Sequence, residues 1–244
     1  MIRKVIGSLS YDYFICRLRW LVFPIFAEYL KPMIQIERFS FNTFMVNTYV
    51  LYDETREAVI VDAACYEPFE QQGLADFIQD SRLKPVKHII THCHVDHILG
   101  SEFVYRKYGL IPEFHKAGLP FYVQVKDIAM NFGFTLEDFP EPGPFISDND
   151  IIRFGNSEIK AFYTPGHADG SVCFYSSADG FVITGDVLFR ETVGRTDLPS
   201  GDFDKLMESI KTRLFTLPAV TLVYPGHSTD TTIGYEMRNN PFIK

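Results

Sequence analysis

Cysteine is scarce and never paired at a useful spacing. Cys16, Cys65, Cys93 and Cys173 are the only four in 244 residues, and no C-x-x-C occurs. That argues against a disulfide framework and a thiolate metal cluster, and points to a reducing cytoplasm. Positive charge is also short: 23 Lys and Arg stand against 31 Asp and Glu, for a net charge of −8. Neutralising phosphates needs a basic face, so a general nucleic-acid partner is set aside. No uncharged span of 18 residues exists, because Arg17 and Arg19 interrupt the apolar N-terminal stretch. A stable membrane span is therefore not expected. Low-complexity tracts and short-period repeats are missing too. What remains, 46% hydrophobic and 22% charged residues, suits one large domain with a full core.

Residues 1–32 read differently from the rest. They lack the clean apolar core and small-residue cleavage site of a secretory signal. Met33 stands directly before IQIERFSFNTF, where a first strand would begin, so 1–32 is taken as an upstream extension of uncertain status and 33–244 as the main domain. A short interfacial anchor is the alternative for the extension. A peptide spanning Lys31 in native protein would show that Met33 is not the start.

Within 33–244, apolar alternation and clustering predict strands at 34–41, 44–52, 57–62, 85–90, 151–154, 158–163, 171–175, 181–184 and 219–224. Helices are predicted at 68–79, from 95 or 96 to about 107, at 119–131 and at 204–215, with a Pro-, Gly- and acid-rich loop over 132–150. These strands and helices fit a layered α/β fold.

The chemistry concentrates in THCHVDH, where His92, His94, Asp96 and His97 crowd into six positions. A strand end running into a helix start could aim all four inward. Imidazole and carboxylate donors without thiolate suit Zn²⁺, Fe or Mn²⁺ in a catalytic site. A lone histidine is usually a satisfied polar residue, but this density reverses that reading. His167 in TPGH, Asp186 in ITGD and His227 in YPGH each follow a predicted strand. Alone, a histidine beside Pro-Gly reads as a turn residue. Together, seven donors serve two ions if one carboxylate bridges and an open position is kept for water. Cys93, between two of the donors, should point away from them as a small buried filler. His88 and His115 match no motif and read as ordinary core or surface residues.

HxHxDH followed by a distant His, Asp and His resembles the metallo-β-lactamase superfamily, across about residues 33–244. The resemblance implies an αββα sandwich, two mixed β-sheets flanked by helices. It further implies that His92, His94 and His167 hold one metal, that Asp96, His97 and His227 hold the other, and that Asp186 bridges them. Asp62 in VIVDA and Thr91 would support the ligands without binding metal. The segments FNTFMVNTYVL, GDVLFRETVGRTDLPSGD and GYEMRNNPF resemble the short, single-domain glyoxalase II (hydroxyacylglutathione hydrolase-like) group. The implied activity is hydrolysis of a hydroxyacyl thioester such as S-lactoylglutathione by a metal-bound hydroxide, oriented by Asp96. The implied cofactors are two divalent ions, zinc first, with iron or manganese as alternatives.

Glyoxalase II proper has a C-terminal helical region that contacts glutathione, whereas this chain ends 17 residues after His227, so those contacts are not carried over. Phe189, Arg190 and Arg195 follow Asp186 and are the candidate substrate contacts. Arg195 could bind a substrate carboxylate or pair with Asp197. The alternative activity is a persulfide dioxygenase, which uses a single iron at the positions of His92, His167 and Asp186 or their close neighbours. A non-catalytic metal-binding module is the third reading. β-Lactam hydrolysis ranks lower, because the best-known lactamase branch has Cys where Asp186 stands.

Overall fold

Strand alternation decides which residues reach the centre of the molecule. The computed structural model describes residues 34–243, so the expectations for 1–32 and Met33 lie outside the described residues. β1 (Gln35–Phe41), β2 (Val46–Tyr52) and β3 (Glu57–Val61) form an antiparallel meander. β4 (Lys84–Ile89), β5 (Pro112–His115) and β6 (Phe145–Ile146) then add in parallel, giving a six-stranded sheet in sequential order. The second sheet begins with antiparallel β7 (Ile151–Phe154), β8 (Ser157–Tyr163), β9 (Val172–Ser176) and β10 (Phe181–Gly185). A small hairpin, β11 (Leu188–Phe189) and β12 (Thr192–Val193), follows β10. β13 (Leu222–Pro225) returns parallel to β10 and pairs with β14 (Thr231–Thr232).

The two sheets bury one face each against the other. Leu51, Val59 and Ile89 of the first meet Phe154, Phe174 and Ile183 of the second. Alternate residues point outward: Ala58 and Ile60 pack on Leu74 and Ile78 of α1 (Pro68–Asp80). On the other side, Val182 and Val223 pack on Leu206 of α6 (Phe203–Ser209) and Ile233 of α7 (Ile233–Asn239). Central strands are thus apolar on both faces, which is why β10 reads as a continuous run. The architecture is the αββα sandwich that the resemblance implies.

Local departures have local causes. The helix expected from 95 or 96 to about 107 is two, α2 (Val95–Ile98) and α3 (Ser101–Tyr108). They part at Gly100, whose N–H donates to the Ala63 carbonyl at 2.8 Å and where an added Cβ would stand 2.8 Å from the Cys65 carbonyl. The stretch 119–131 divides into α4 (Leu119–Val123) and α5 (Val125–Asn131) at Gln124. The helix expected over 204–215 starts at Phe203, where Asp202 accepts from the Lys205 N–H, and widens to a π-turn over Ile210–Leu214. The strand expected over 219–224 begins only at Leu222, and the loop 132–150 contains the edge strand β6. β5, β11, β12, β14 and α7 are additions to the sequence reading.

Candidate metal centre

Strand ends converge on one edge of the sandwich. β4 delivers Thr91 and His92, with His94, Asp96 and His97 on the turn into α2 and on α2 itself. β3 ends at Asp62, β10 at Asp186, β13 at His227, and the β8–β9 connection carries His167. Two glycines make the approach possible. Gly185 has φ +48°, and a Cβ there would meet the Thr91 hydroxyl at 2.5 Å. A Cβ on Gly226 would collide with Asp186 Oδ1 and stand 2.7 Å from His97 Cε1.

Hydrogen bonds fix which nitrogen each imidazole presents. His97 Nδ1 lies 3.0 Å from Asp62 Oδ2, and the Thr91 hydroxyl donates to the same oxygen at 2.6 Å. His92 Nδ1 lies 3.2 Å from that hydroxyl. His167 Nδ1 donates to the Arg195 carbonyl at 2.8 Å, and His227 Nδ1 to the Phe44 carbonyl at 3.0 Å. With Nδ1 carrying the proton in all four, their Nε2 lone pairs face the centre. His94 alone turns Nδ1 inward.

The inward atoms fit cations and little else. His94 Nδ1 is 3.0 Å from both His92 Nε2 and His167 Nε2. Two of these three nitrogens are bare acceptors, and a single hydrogen on the third cannot serve both. The second cluster has the same character: His227 Nε2 lies 3.4 Å from Asp96 Oδ2, and His97 Nε2 lies 3.7 Å from it. Asp186 stands between the clusters, with Oδ2 3.6 Å from His167 Nε2 and 3.5 Å from His227 Nε2, and Oδ1 3.4 Å from His97 Nε2. Donors on one tetrahedral Zn²⁺ stand roughly 3.3 Å apart. Buried and without a hydrogen-bond partner are His97 Nε2 and Asp186 Oδ1. His92, His94 and His167 could hold one ion, Asp96, His97 and His227 another, and Asp186 reaches both.

The field agrees. Burial, reinforced by His97 and His94, holds the His92 imidazole well below its ordinary pKa, and burial with His167 holds His94 down to about 4. Both are neutral and ready to ligate. Although burial opposes it, hydrogen bonds donated to the Asp186 and Asp96 carboxylates push His227 up to about 9, and the charges of Asp186 and Asp96 likewise raise His97. The carboxylate side of the centre therefore draws positive charge. Burial holds the Cys93 thiol far above its usual value, leaving it a poor nucleophile. It packs with Ile90, Ile98 and Phe114 and borders the pocket.

A pocket of about 500 Å³ opens over these donors. His94, Asp96, His167, Asp186 and His227 line its floor, and Phe44, Phe121, Ile128, Phe132 and Leu198 line its walls. Of the three anticipated substrate contacts, Arg195 reaches the pocket, but its guanidinium is held by Asp197 through two 2.7 Å hydrogen bonds. Phe189 and Arg190 are outside the lining. The Phe189 ring centre is 6.2 Å from that of His227, and the Arg190 guanidinium stacks 4.8 Å over Tyr235.

Sequence reasoning passed over the residues that hold this edge together. Asn42, with φ +53°, donates from its amide to the carbonyls of Asp96 at 2.9 Å and Ala64 at 3.1 Å. Its own N–H is taken by the buried Glu70 carboxylate at 2.6 Å. Asn47 ties β2 to the His227 turn through the carbonyls of Pro225 at 2.9 Å and Ser228 at 3.0 Å. Both lie in FNTFMVNTYVL, where each reads locally as an asparagine between hydrophobic runs and gives no sign of the carbonyls it would bind.

Comparison with known proteins agrees with this geometry. The model of the metallo-β-lactamase superfamily matches residues 42–227. Hydroxyacylglutathione hydrolase GloC of Haemophilus influenzae is 29% identical over 210 residues, covering 85% of this chain and 97% of that protein. Among solved structures, the B3 metallo-β-lactamase BLEG-1 superposes with a TM-score of 0.77 at 29% identity, over 86% of this chain and 100% of its own. TTHA1623, in a di-iron-bound form, gives 0.76 at 32% identity, over 84% and 99%. ETHE1 from Myxococcus xanthus gives 0.68 at 27% identity, over 85% and 83%. The matched span runs from the asparagine that braces Asp96 to the last histidine of the donor set, and the chain belongs to the metallo-β-lactamase superfamily.

Proposed function

We propose that residues 33–244 are a glyoxalase II-like thioesterase that splits a hydroxyacyl thioester, with water, into a hydroxy acid and a thiol. The observation that carries this is the pair of donor clusters sharing Asp186 on the floor of an open pocket. The ligands would be His92, His94 and His167 for one ion, Asp96, His97 and His227 for the other, and Asp186 for both. When bound, two divalent cations, zinc in the first instance, supply Lewis acidity and a water of pKa near about 7. The side chains do the remainder. Asp62 and Thr91 hold His92 and His97 in the tautomers that present Nε2. Asp96 faces the pocket beside His227, where its carboxylate can orient the attacking water and take its proton. Phe44, Phe121 and Phe132 border the approach to the acyl group. The likeness to GloC supports this reaction class, and the di-iron form of TTHA1623 supports iron as an alternative metal. The buried free thiols Cys65, Cys93 and Cys173 suit a reducing cytoplasm. Among the described residues, no helix is long and apolar enough to cross a membrane.

The second reading, which the resemblance of the motif set including GRTD also allows, is persulfide oxygenation at a single iron. The test is metal content measured on the sample that is assayed against thioesters, a persulfide under oxygen uptake and a chromogenic cephalosporin, the last because of BLEG-1. Two metals with thioester cleavage support the hydrolase. One iron with thiol-dependent oxygen consumption replaces it. His94→Ala and Asp186→Ala should each abolish thioester turnover while leaving the fold largely intact, and unchanged turnover in both would refute the assignment.

A further inference from the structure

The pocket walls have a chemistry that the donor set does not require. Phe44, Phe121, Ile128, Phe132, Leu198 and Pro199 surround the approach to the donors. Phe121 stands edge-on to His94 with ring centres 5.6 Å apart, and Phe44 stands edge-on to Phe132 at 5.6 Å. The Phe44 carbonyl accepts from His227 Nδ1, which holds the Phe44 backbone beside a donor. Phe132 is 56% exposed and Phe44 37%, an apolar surface directly above the reacting centre that the described residues leave open to solvent. Charge is the complement of this picture. Arg195 is the one Lys or Arg in the lining, and its guanidinium already takes both oxygens of Asp197. Glutathione carries a carboxylate at each end, and a carboxylate set against the Phe44, Phe121, Ile128 and Phe132 walls would lose water without gaining a partner from them.

Resting on the thioesterase reading above, we infer that the substrate is a thioester with a bulky apolar or aromatic group beside the scissile carbonyl, on a thiol that presents no carboxylate to the pocket. Phe44, Phe121, Ile128 and Phe132 take the apolar group, while His94, Asp96 and Asp186 lie beneath the carbonyl. The walls would set specificity only, and the bond broken is the same acyl–sulfur bond.

The test is a set of four substrates: lactoyl and mandeloyl, an α-hydroxyacyl pair differing by methyl against phenyl, each on glutathione and on uncharged N-acetylcysteamine. The expected result is kcat/KM for mandeloyl above lactoyl by about tenfold or more on either thiol, with no preference for glutathione. Phe132→Ala should pull the mandeloyl-to-lactoyl ratio down several-fold, chiefly through KM for mandeloyl. Lactoyl turned over as well as mandeloyl, or a tenfold preference for glutathione, would overturn the inference. If none of the four is cleaved, the thioesterase reading falls, and calorimetry with uncleavable thioethers bearing phenyl or methyl in the acyl place decides the pocket separately. Tighter binding of the phenyl compound upholds the apolar site, and equal binding removes it.

Discussion

Asp62 Oδ2 lies 3.0 Å from His97 Nδ1 and 2.6 Å from the Thr91 hydroxyl, which in turn lies 3.2 Å from His92 Nδ1. One buried carboxylate at the end of β3 therefore orients an imidazole in each donor cluster. Carboxylates in this position commonly change metal affinity by about 10- to 100-fold when removed. Asp62→Asn should weaken zinc binding by that factor in a competitive chelator titration while the far-ultraviolet spectrum is kept. An unchanged affinity would mean that the two imidazoles hold their orientation without it.

Asn42 braces the same edge from the other side. Alanine there would force φ +53° on a residue that avoids it and leave the Asp96 and Ala64 carbonyls without their amide donor. The combined cost is about 2–3 kcal/mol. Urea unfolding of Asn42→Ala should show that loss together with reduced turnover, because Asp96 is released. Asn42→Gly should recover part of the stability and none of the turnover. Full turnover in the glycine variant would contradict a positioning role.

Asp53 joins the two halves of the sandwich far from the pocket. Its Oδ2 accepts from the Asn156 N–H at 2.7 Å and the Ser157 hydroxyl at 2.9 Å, and Oδ1 from the Thr55 N–H at 2.9 Å. Burial opposes ionisation, but hydrogen bonds from Thr55, Ser157 and Asn156 outweigh it and hold the carboxyl below its ordinary value of 3.8. A depressed folded-state pKa means stability that is complete above the unfolded value, about 3.9, and lost as pH falls through the folded one. Asp53→Asn should cost about 1–3 kcal/mol at neutral pH. Its deficit should narrow as pH falls below 3.8. A gap between wild type and variant that stays constant down to acid unfolding, followed by circular dichroism, would exclude this role.

Much of this was legible in the chain because the information is local. THCHVDH concentrates four donors that a single turn displays together, and the apolar strands before Asp186 and His227 gave their positions at strand ends. What the residues alone hid depends on partners distant in sequence. β5 and β6 are PEFH and a two-residue FI, too short and too broken by proline to show a period; β5 is a strand only because β4 offers it an edge, and β6 only because β5 does. Gly100 reads as an ordinary helix residue until the Ala63 and Cys65 carbonyls press against it. Gly226 reads as a turn until Asp186 and His97 fill the space where a side chain would be. Arg195 is ambiguous for a different reason: GRTD admits a substrate contact or a local ion pair with Asp197 two residues on, and the fold sets that pair at 2.7 Å while also placing Arg195 in the pocket lining.

The most direct measurement is metal stoichiometry followed through removal and return. Purified protein is assayed for bound metal and thioester turnover as isolated, after exhaustive chelation, and after titration with zinc. Two ions per chain are expected, with loss of turnover as they leave and recovery that tracks the filling of both clusters. Full turnover in the metal-free protein, or saturation with no ion bound to His92, His94 and His167, would contradict this.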